Sequence, residues 1–386
     1  MNSKNSASSK LNKALVLSGG GARGAYQVGV LSAISDIAQS LGIKEAFDIY
    51  SGVSAGAINA TFLAAGADDF SASCKSLVDL WSQLTSDQVF YSDISSLGKI
   101  GFNWFKSVSV GSIAGSTPGQ ALLDTTPLHN LIKERLPFAK IQNNLDRQIL
   151  KGLAITALDY QSSTAITFVQ AQEDTPSWEK SRRKSEKTNI NVEHVMASAA
   201  IPLLFPPVGV DQRFFGDGCV RNTAPCSPSI YMGAQKLLVI GVRRQGTTAY
   251  ETRILQNQKA PSIARVLNVL LNSVLLDGVE LDVERLARIN SLIDQIPPSV
   301  HDELTYKKVD FVWIAPSADI GEIAAQKHMK LPPIIRYLLK GLGSINEASE
   351  IVSYLLFDPS FCTQLIEVGY EDGMRQKEEI QRFLES

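Results

Sequence analysis

Two glycine-containing motifs near the start of the chain carry residues that could perform acyl-transfer chemistry. The first follows an apolar stretch and runs through Gly19, Gly20, Gly21, Ala22, Arg23 and Gly24. The second places Ser54 between Gly52 and Gly56. A glycine-rich loop at a helix N-terminus offers backbone N–H groups to a negative oxygen, and a G-x-S-x-G turn exposes a serine. The pair therefore supplies an oxyanion hole and a nucleophile, which are the first requirements of acyl transfer.

The glycine run also fits the dinucleotide fingerprint G-x-G-x-x-G, with Gly19, Gly21 and Gly24 at the glycine positions. That fingerprint expects an acidic residue about twenty positions further on to bind the ribose, and Glu45 and Asp48 are available. A nucleotide-binding oxidoreductase that uses a nicotinamide cofactor is therefore an alternative of another class. No Gly-Lys-Ser/Thr follows the glycines, which excludes a Walker A loop.

The serine motif has the spacing of a nucleophile elbow. Gly52 and Gly56 flank Ser54 at positions where a side chain would collide with the neighbouring strand or helix as the chain reverses. A serine that only capped the following helix would not need flanking glycines. Because a dinucleotide site has no use for a nucleophile here, the second motif favours acyl transfer.

A serine nucleophile needs a general base, and the four histidines do not offer an obvious one. His129 lies in a helical pattern, His194 precedes a helix of small residues, and His301 and His328 lie in charged stretches. Each is predicted to be a surface or core histidine. Asp217 lies between two glycines after two phenylalanines, where apolar neighbours can raise its pKa. An ordinary Asp-Gly turn is the other interpretation of this segment.

Together these residues resemble the patatin-like phospholipase family, which is related more distantly to cytosolic phospholipase A2. The resemblance is carried by the G-G-G-x-R-G loop, the G-x-S-x-G elbow and Asp217-Gly218 as the start of a D-G-[GA] motif. Residues 197–202 and 205–207, just upstream of that aspartate, add to it. The motifs occur in the family's order, and the similarity extends from residue 13 to about residue 315.

The resemblance implies a Ser-Asp dyad, in which Ser54 is the nucleophile, Asp217 is the direct general base, and the amides of residues 20–23 form the oxyanion hole. No histidine is then required, and we expect neither a metal nor a cofactor. Arg23 either fixes the loop or contributes to an anion-binding surface. The third position of the aspartate motif is Cys219 instead of Gly or Ala. A positive φ at Cys219 would be strained by about 1 kcal/mol or more.

Alternating strand and helix patterns predict the elements that position these motifs. We expect a three-layer α/β/α fold with a mostly parallel central sheet and C-terminal helices. Strands are predicted at 13–17, 47–50, 150–157, 164–170, 237–242 and 309–314, and helices at 24–41, 55–65, 70–84 and 127–136. A helical region at 262–296 carries an apolar stripe that is predicted to pack in the core: Leu267, Leu271, Val274, Leu281 and Leu292.

The predicted organisation has three parts. Residues 1–12 are a polar, disordered lead-in, residues 13–315 form the acyl hydrolase domain, and residues 316–386 form a helical extension packed on the same domain. The net charge of −2 offers no positive field for nucleic acid. Scattered cysteines, a polar N-terminus and the lack of a long apolar stretch predict a cytoplasmic protein that does not span a membrane.

Two segments are candidates for contact with lipid. Residues 86–126 mix Gly and Ser with aromatic residues, which fits a lid or lipid-contacting flap, or a loop that packs its aromatics on the domain. Residues 178–187 are rich in Lys and Arg and could contact anionic head groups, although such runs are more often solvated loops. The expected partners are a phospholipid or other lipid ester and the surface of a membrane.

The leading hypothesis is a lipid acyl hydrolase of the phospholipase A or lysophospholipase type. A neutral-lipid lipase or a thioesterase would use the same dyad with a differently shaped pocket. The oxidoreductase described above and a catalytically silent scaffold protein with the same fold are the alternatives of other classes.

Overall fold

A computed structural model describes residues 11–91, 121–244, 262–342, 344 and 347–385. Within these ranges a ten-stranded sheet forms the centre of the protein. Its strands are β1 (Lys13–Leu17), β2 (Ile49–Val53), β3 (Gly152–Asp159), β4 (Thr164–Ala171), β5 (Glu179–Lys180), β6 (Arg183–Lys187), β7 (Val208–Val210), β8 (Arg213–Asp217), β9 (Lys236–Ile240) and β10 (Asp310–Ile314).

The sheet has the order β10-β9-β1-β2-β3-β4-β6-β5, and β8 pairs with β3 and β7 outside this path. Every pair from β10 to β3 is parallel, as is the pair of β4 and β6. Strands β4 and β8 run antiparallel to β3. The prediction of a mostly parallel sheet is confirmed, and the carboxyl ends of β1 and β2 lie at the same edge.

Fifteen helices are present in the described ranges. They are α1 (Gly24–Ser40), α2 (Ala55–Ala65), α3 (Phe70–Ser82), α4 (Ser86–Val89), α5 (Thr126–Arg135), α6 (Ala139–Asp146), α7 (Val192–Ser198), α8 (Ser227–Tyr231), α9 (Ile263–Leu275), α10 (Asp277–Ile293), α11 (Ile320–Gln326), α12 (Pro333–Leu342), α13 (Ser349–Leu355), α14 (Pro359–Arg375) and α15 (Lys377–Glu385). Several begin at a polar side chain that accepts a hydrogen bond from the first turn, such as Asp69, Asn191 and Asp358.

Helices cover both faces of the sheet. Because side chains alternate along a strand, Leu15 and Leu17 of β1 face one layer while Ala14 and Val16 face the other. The first layer contains α1, α2, α3 and the C-terminal helices, and the second contains α10 and the residues around α8. The three-layer arrangement with C-terminal helices is therefore confirmed.

The C-terminal helices pack on the same core as the first helix. Helix α14 lies along α1, and the Tyr26 hydroxyl donates a hydrogen bond to Asp372 of α14 at 3.1 Å. At the far end of the chain, the Lys13 ammonium of β1 donates to the carbonyl of Leu384. These contacts connect residues that are separated by more than 340 positions in sequence.

One core prediction is partly wrong. The helical region at 262–296 consists of two helices, α9 and α10. They are separated at Leu276, which has φ −116° and ψ −34°. Val274, Leu281 and Leu292 are 40%, 49% and 57% exposed. The break shifts the helical phase, so that α10 buries a different set of residues: Val279, Val283 and Leu286. Leu267 and Leu271 of the predicted stripe do pack against the core.

The basic run at 178–187 forms a hairpin of β5 and β6 at the edge of the sheet instead of a solvated loop. Within the hairpin, Arg183 donates to the Ser227 hydroxyl at 3.4 Å and Lys187 to the carbonyl of Glu173 at 3.1 Å. Charged side chains on an edge strand hinder pairing with another chain, which accounts for the composition of this segment.

Two other predictions fall largely outside the described residues. Residues 1–10 of the lead-in and residues 92–120 of the 86–126 segment are not among them. Of the aromatics on that segment, Phe90 is fully buried against Phe205 and Phe357. No helix in the described ranges combines the length and the hydropathy that crossing a bilayer requires.

Candidate active site

Ser54 occupies a strained turn between β2 and α2. Its φ of 56° and ψ of −128° lie outside the regions that a side chain favours, at a cost on the order of 1–3 kcal/mol. Two hydrogen bonds hold it there. The Ser54 N–H donates to the Ser198 hydroxyl at 3.0 Å, and that hydroxyl donates to the carbonyl of Thr156 at 2.7 Å. The elbow is thereby connected to β3 and to the end of α7.

Close backbone packing explains the glycines that flank Ser54. A Cβ added at Gly52 would lie 2.2 Å from the carbonyl oxygen of Gly56. One added at Gly56 would lie 2.4 Å from the carbonyl oxygen of Leu17 at the end of β1. Any side chain at either position would therefore push α2 away from the strands and displace Ser54.

The glycine-rich loop follows β1 and enters α1 through a short 3₁₀ turn, Gly21–Arg23. Gly21 has a φ of +57°, and a Cβ there would lie 2.4 Å from the carbonyl oxygen of Tyr354. A Cβ at Gly19 would lie 2.9 Å from the Cβ of Ser54, so the loop packs directly against the elbow. The first N–H groups of a helix have no intrahelical partner, and the positive end of the helix dipole lies there. The loop therefore presents N–H donors beside Ser54.

Arg23 is buried and faces away from the serine. Its Nε donates to the Ser353 hydroxyl at 2.7 Å, its Nη1 donates to the carbonyl of Val242 at 3.3 Å, and its Nη2 forms an ion pair with Glu350. The guanidinium also lies 5.1 Å from the ring centroid of Tyr354. Of the two roles open to Arg23, this geometry supports fixing of the loop, here to α13.

Sequence inspection missed a buried polar network under the loop. The Gln27 amide donates to the carbonyl of Ser18 at 2.7 Å, and the Asn59 amide donates to Gln27 at 3.0 Å and to the carbonyl of Gly24 at 3.3 Å. The indole N–H of Trp81 completes the network by donating to Asn59 at 2.8 Å. The available signal was an amide within a run of mostly apolar and small residues near the start of each helix, Gln27 in α1 and Asn59 in α2.

Asp217 ends β8 beside the elbow. Its N–H donates to the carbonyl of Ala200 at 2.8 Å, and its carboxylate accepts the Cys219 N–H at 2.9 Å. The hydroxyl of Ser54 and the thiol of Cys219 are further polar neighbours of the carboxylate that lower its pKa. Burial raises the pKa of Asp217 to about 6, and these polar groups oppose that rise because they stabilise the charged form. The carboxylate is therefore ionised near neutral pH and can accept a proton from Ser54.

The four histidines do not contact this pair. Their ring nitrogens lie near other groups: Glu193 for His129, Asn191 for His194, the carbonyl of Ile296 for His301 and the carbonyl of Ala325 for His328. His194 is buried against Phe168, and burial lowers its pKa. It also accepts the Asn191 N–H at the start of α7, which is a structural role.

Cys219 does not have the strained backbone that a positive φ would produce. It lies in the 3₁₀ turn Gly218–Val220, and it is not among the residues with positive φ. The four cysteines are free and buried.

An apolar pocket opens from Ser54 and Gly21 into the helical layer. Its walls come from three helices in particular: Ile58 and Phe62 of α2, Leu80 and Trp81 of α3, and Leu131 and Ile132 of α5. Arg135 is the single charged residue of the lining, and it is exposed. A lining of this polarity suits a hydrocarbon chain.

The acidic residue of the dinucleotide alternative lies at the wrong edge of the sheet. Asp48 precedes β2 and accepts the N–H of Lys13 at 2.9 Å, at the beginning of β1. The glycine loop lies beyond the other end of β1, where β2 ends in Ser54 instead of an acidic residue. Across the described residues, no group of three or more His, Cys, Asp and Glu side chains is arranged to hold a metal ion.

Comparison with known proteins gives a family match. The family model described as patatin-like phospholipase matches residues 15–230. A search of curated proteins finds no match.

Several solved structures are similar to the chain at low identity. VipD from Legionella pneumophila is 15% identical over 95% of this chain and 67% of its own, with a TM-score of 0.36. Human GIVD cytosolic phospholipase A2 is 11% identical over 97% of this chain and 58% of its own, with a TM-score of 0.37. The type III effector ExoU is 14% identical over 96% of this chain and 53% of its own, with a TM-score of 0.35. The chain thus spans little more than half the length of the last two proteins.

Proposed function

Since the chain belongs to the patatin-like phospholipase family, whose model matches residues 15–230, we propose that it is a serine hydrolase that cleaves the carboxylic esters of lipids. Within that class we propose an activity of the phospholipase A or lysophospholipase type. The single observation that carries the proposal is the position of the Ser54 hydroxyl beside the buried carboxylate of Asp217, at the opening of an apolar pocket.

In the proposed mechanism, Ser54 attacks the ester carbonyl while Asp217 accepts the hydroxyl proton. The carbonyl oxygen becomes an oxyanion, and N–H groups of residues 20–22 donate to it, since the Arg23 N–H already donates to the carbonyl of Gly20 at 3.2 Å. Collapse of this intermediate breaks the ester bond, and Asp217 returns the proton to the departing alcohol. A water molecule then loses a proton to Asp217 and attacks the acyl-serine, which releases the fatty acid and restores Ser54.

The pocket supports a hydrocarbon acyl chain as the group transferred to Ser54. Apart from Ser54 and Arg135, its lining is apolar or glycine, so the chain would lose contact with water along its length. Each buried CH₂ contributes about 0.8 kcal/mol, which corresponds to about a fourfold gain in kcat/KM per added CH₂ until the pocket is full. Activity should therefore rise steeply with acyl length.

A neutral-lipid lipase and a thioesterase would share the dyad, and the choice among them depends on the shape of the pocket and on the group that leaves the acyl chain. Asp48 weighs against the oxidoreductase alternative, because it lies at the opposite end of β1 from the glycine loop. The extended hydrogen bonding around Ser54 gives no support to a silent scaffold protein.

The proposal is tested by labelling with a fluorophosphonate probe, followed by a panel of lipid esters. We expect covalent labelling of wild-type Ser54 and hydrolysis of phospholipids or lysophospholipids, with rates that rise with acyl length. Mass spectrometry of the labelled peptide identifies the modified residue, and released fatty acid measures activity. Absence of labelling in folded protein would contradict the hydrolase assignment. Labelling with preference for triacylglycerols or thioesters would overturn only the phospholipase type.

We further propose that α9 and α12 contact the membrane that carries the substrate. The two helices pack together, and α9 also packs against the 3₁₀ turn that follows Asp217. Several of their apolar side chains are exposed: Val266, Val269 and Leu270 on α9, and Tyr337 and Leu338 on α12. Residues 327–342 contain four Lys or Arg and no acidic residue, and α9 contains Arg265 and no acidic residue. Exposed apolar residues among cations suit an anionic lipid surface.

Substitutions on α12 test this contact. Tyr337→Ser and Lys340→Gln should each lower hydrolysis on anionic vesicles, and the loss of one cation near the surface in Lys340→Gln should lower it by about fivefold. Both should leave hydrolysis of a monomeric ester unchanged. Added salt should lower the wild-type vesicle rate. Tyr306→Ser is the matched control, because Tyr306 is 69% exposed and Tyr337 is 74% exposed, but Tyr306 precedes β10 and belongs to neither α9 nor α12. Unchanged vesicle rates for both α12 variants would contradict the lipid assignment and favour a protein partner.

A further inference from the structure

Cys219 lies between the glycine loop and the base. Its sulfur lies against the backbone of Gly19, the first residue of the loop, and its thiol is a polar neighbour that lowers the pKa of the Asp217 carboxylate. The contact is close, because a Cβ added at Gly19 would lie 2.3 Å from the sulfur. The Cys219 N–H also donates to Asp217, at 2.9 Å. One residue therefore connects the base to the loop that packs against Ser54.

The thiol remains a hydrogen-bond donor in this environment. Burial and the neighbouring carboxylate raise the pKa of Cys219 well above its ordinary value, so the sulfur keeps its proton at neutral pH. A protonated sulfur can donate once and accept at the same time. Gly or Ala, which the D-G-[GA] motif has at this position, could make neither contact through a side chain.

We propose that Cys219 is a positioning residue for the Ser-Asp dyad, whose thiol bridges the Gly19 amide and the Asp217 carboxylate and thereby fixes the base relative to the oxyanion loop. This inference rests on the proposed hydrolase function. Cys219 does not act as a nucleophile in it and touches no substrate atom. Its contribution is to orient the carboxylate and to stabilise the charged form that accepts the serine proton.

The chain contains a second pair of the same kind, which provides a matched control. Cys226 is fully buried, its N–H donates to Asp282 at 2.9 Å, and its thiol also bonds to that carboxylate. Cys226 belongs to the core on the other face of the sheet, with Val279 and Val283 of α10. Removing its thiol disturbs a similar buried hydrogen bond without touching Ser54 or the glycine loop.

The experiment measures kcat, KM and the pH dependence of kcat/KM on a monomeric ester for Cys219→Ala, Cys219→Ser and Cys226→Ala. Because the thiol stabilises the carboxylate, its loss should raise the pKa of Asp217 and move the acid limb of the profile to higher pH. We expect kcat of Cys219→Ala to fall about tenfold with little change in KM, in line with the loss of one hydrogen bond to a charged group. The hydroxyl of Cys219→Ser should restore most of the activity and return the acid limb of the pH profile to its wild-type position. Cys226→Ala should leave the acid limb of the pH profile at its wild-type position.

Fluorophosphonate labelling of Ser54 in the same samples separates this inference from the proposed function. If the wild type is labelled and active while Cys219→Ala keeps the wild-type pH limb, the positioning role is wrong and the hydrolase assignment stands. A limb that shifts equally in Cys219→Ala and Cys226→Ala would also contradict the positioning role, since it would reflect a general loss of stability. Failure of the wild type to be labelled would remove both.

Discussion

Replacing Ser54 by Ala is expected to abolish ester hydrolysis while the protein remains folded. Without the Ser54 hydroxyl no acyl-enzyme can form, and loss of the nucleophile in a well-studied serine protease lowers kcat by about 10⁶-fold. The change removes one oxygen and keeps the Ser54 N–H bond to Ser198 that holds the turn. The measurement is kcat on a soluble ester, with thermal unfolding to show that the fold is retained.

Ser229→Ala is a suitable control for this variant. Ser229 is also fully buried, and its hydroxyl donates to the Ser51 hydroxyl at 2.8 Å, away from the pocket. Losing that hydrogen bond should cost about 1 kcal/mol of stability and leave kcat close to the wild-type value. Substantial turnover by a folded Ser54→Ala protein would show that another residue is the nucleophile.

Replacing Asp217 by Asn is expected to lower kcat by about 10²–10⁴-fold, which is the contribution of a well-placed general base. The amide cannot accept the serine proton. Single substitutions of His129, His194, His301 and His328 should retain most activity, because none of their ring nitrogens lies near Ser54 or Asp217. In the wild type, kcat/KM should rise with pH through about 6 as Asp217 loses its proton, and then level off.

Asp282→Asn matches this substitution closely. Asp282 is also buried, its pKa is also raised by burial, and it also accepts a cysteine N–H. It should keep the wild-type activity and pH limb in a folded protein. A folded histidine variant as inactive as Ser54→Ala would overturn the direct-base mechanism, because in a Ser-His-Asp triad the carboxylate only orients an imidazole.

The fold class could be predicted from sequence because its signals are local. The predicted bounds of β1, 13–17, and of α2, 55–65, agree with the structure. Each is a short apolar segment bordered by serine or glycine, which marks where it begins or ends. The candidate nucleophile and base were visible for the same reason, because each lies in a motif of only a few residues. The structure brings Ser54 and Asp217 together, although Ser54 follows β2 and Asp217 ends β8.

Features that depend on distant partners could not be predicted. Arg23 had two open roles, because Glu350 and Ser353, which bind it, lie more than 320 positions away. The exposure of Leu281 follows from the break at Leu276, which the apolar period alone does not reveal, although Gly278 lies two residues further on. The thiol of Cys219 appeared in the sequence only as a departure from the family motif.

The attachment of the oxyanion loop to α13 has a consequence for the order in which the protein is synthesised. Asp217 leaves the ribosome roughly 140 residues before Tyr354, whose carbonyl packs against Gly21. At about 5–20 residues per second, the growing chain spends about 7–28 s with both dyad residues made and the loop unsupported. A nascent or truncated polypeptide that ends before Tyr354 therefore lacks the contact that supports the glycine loop.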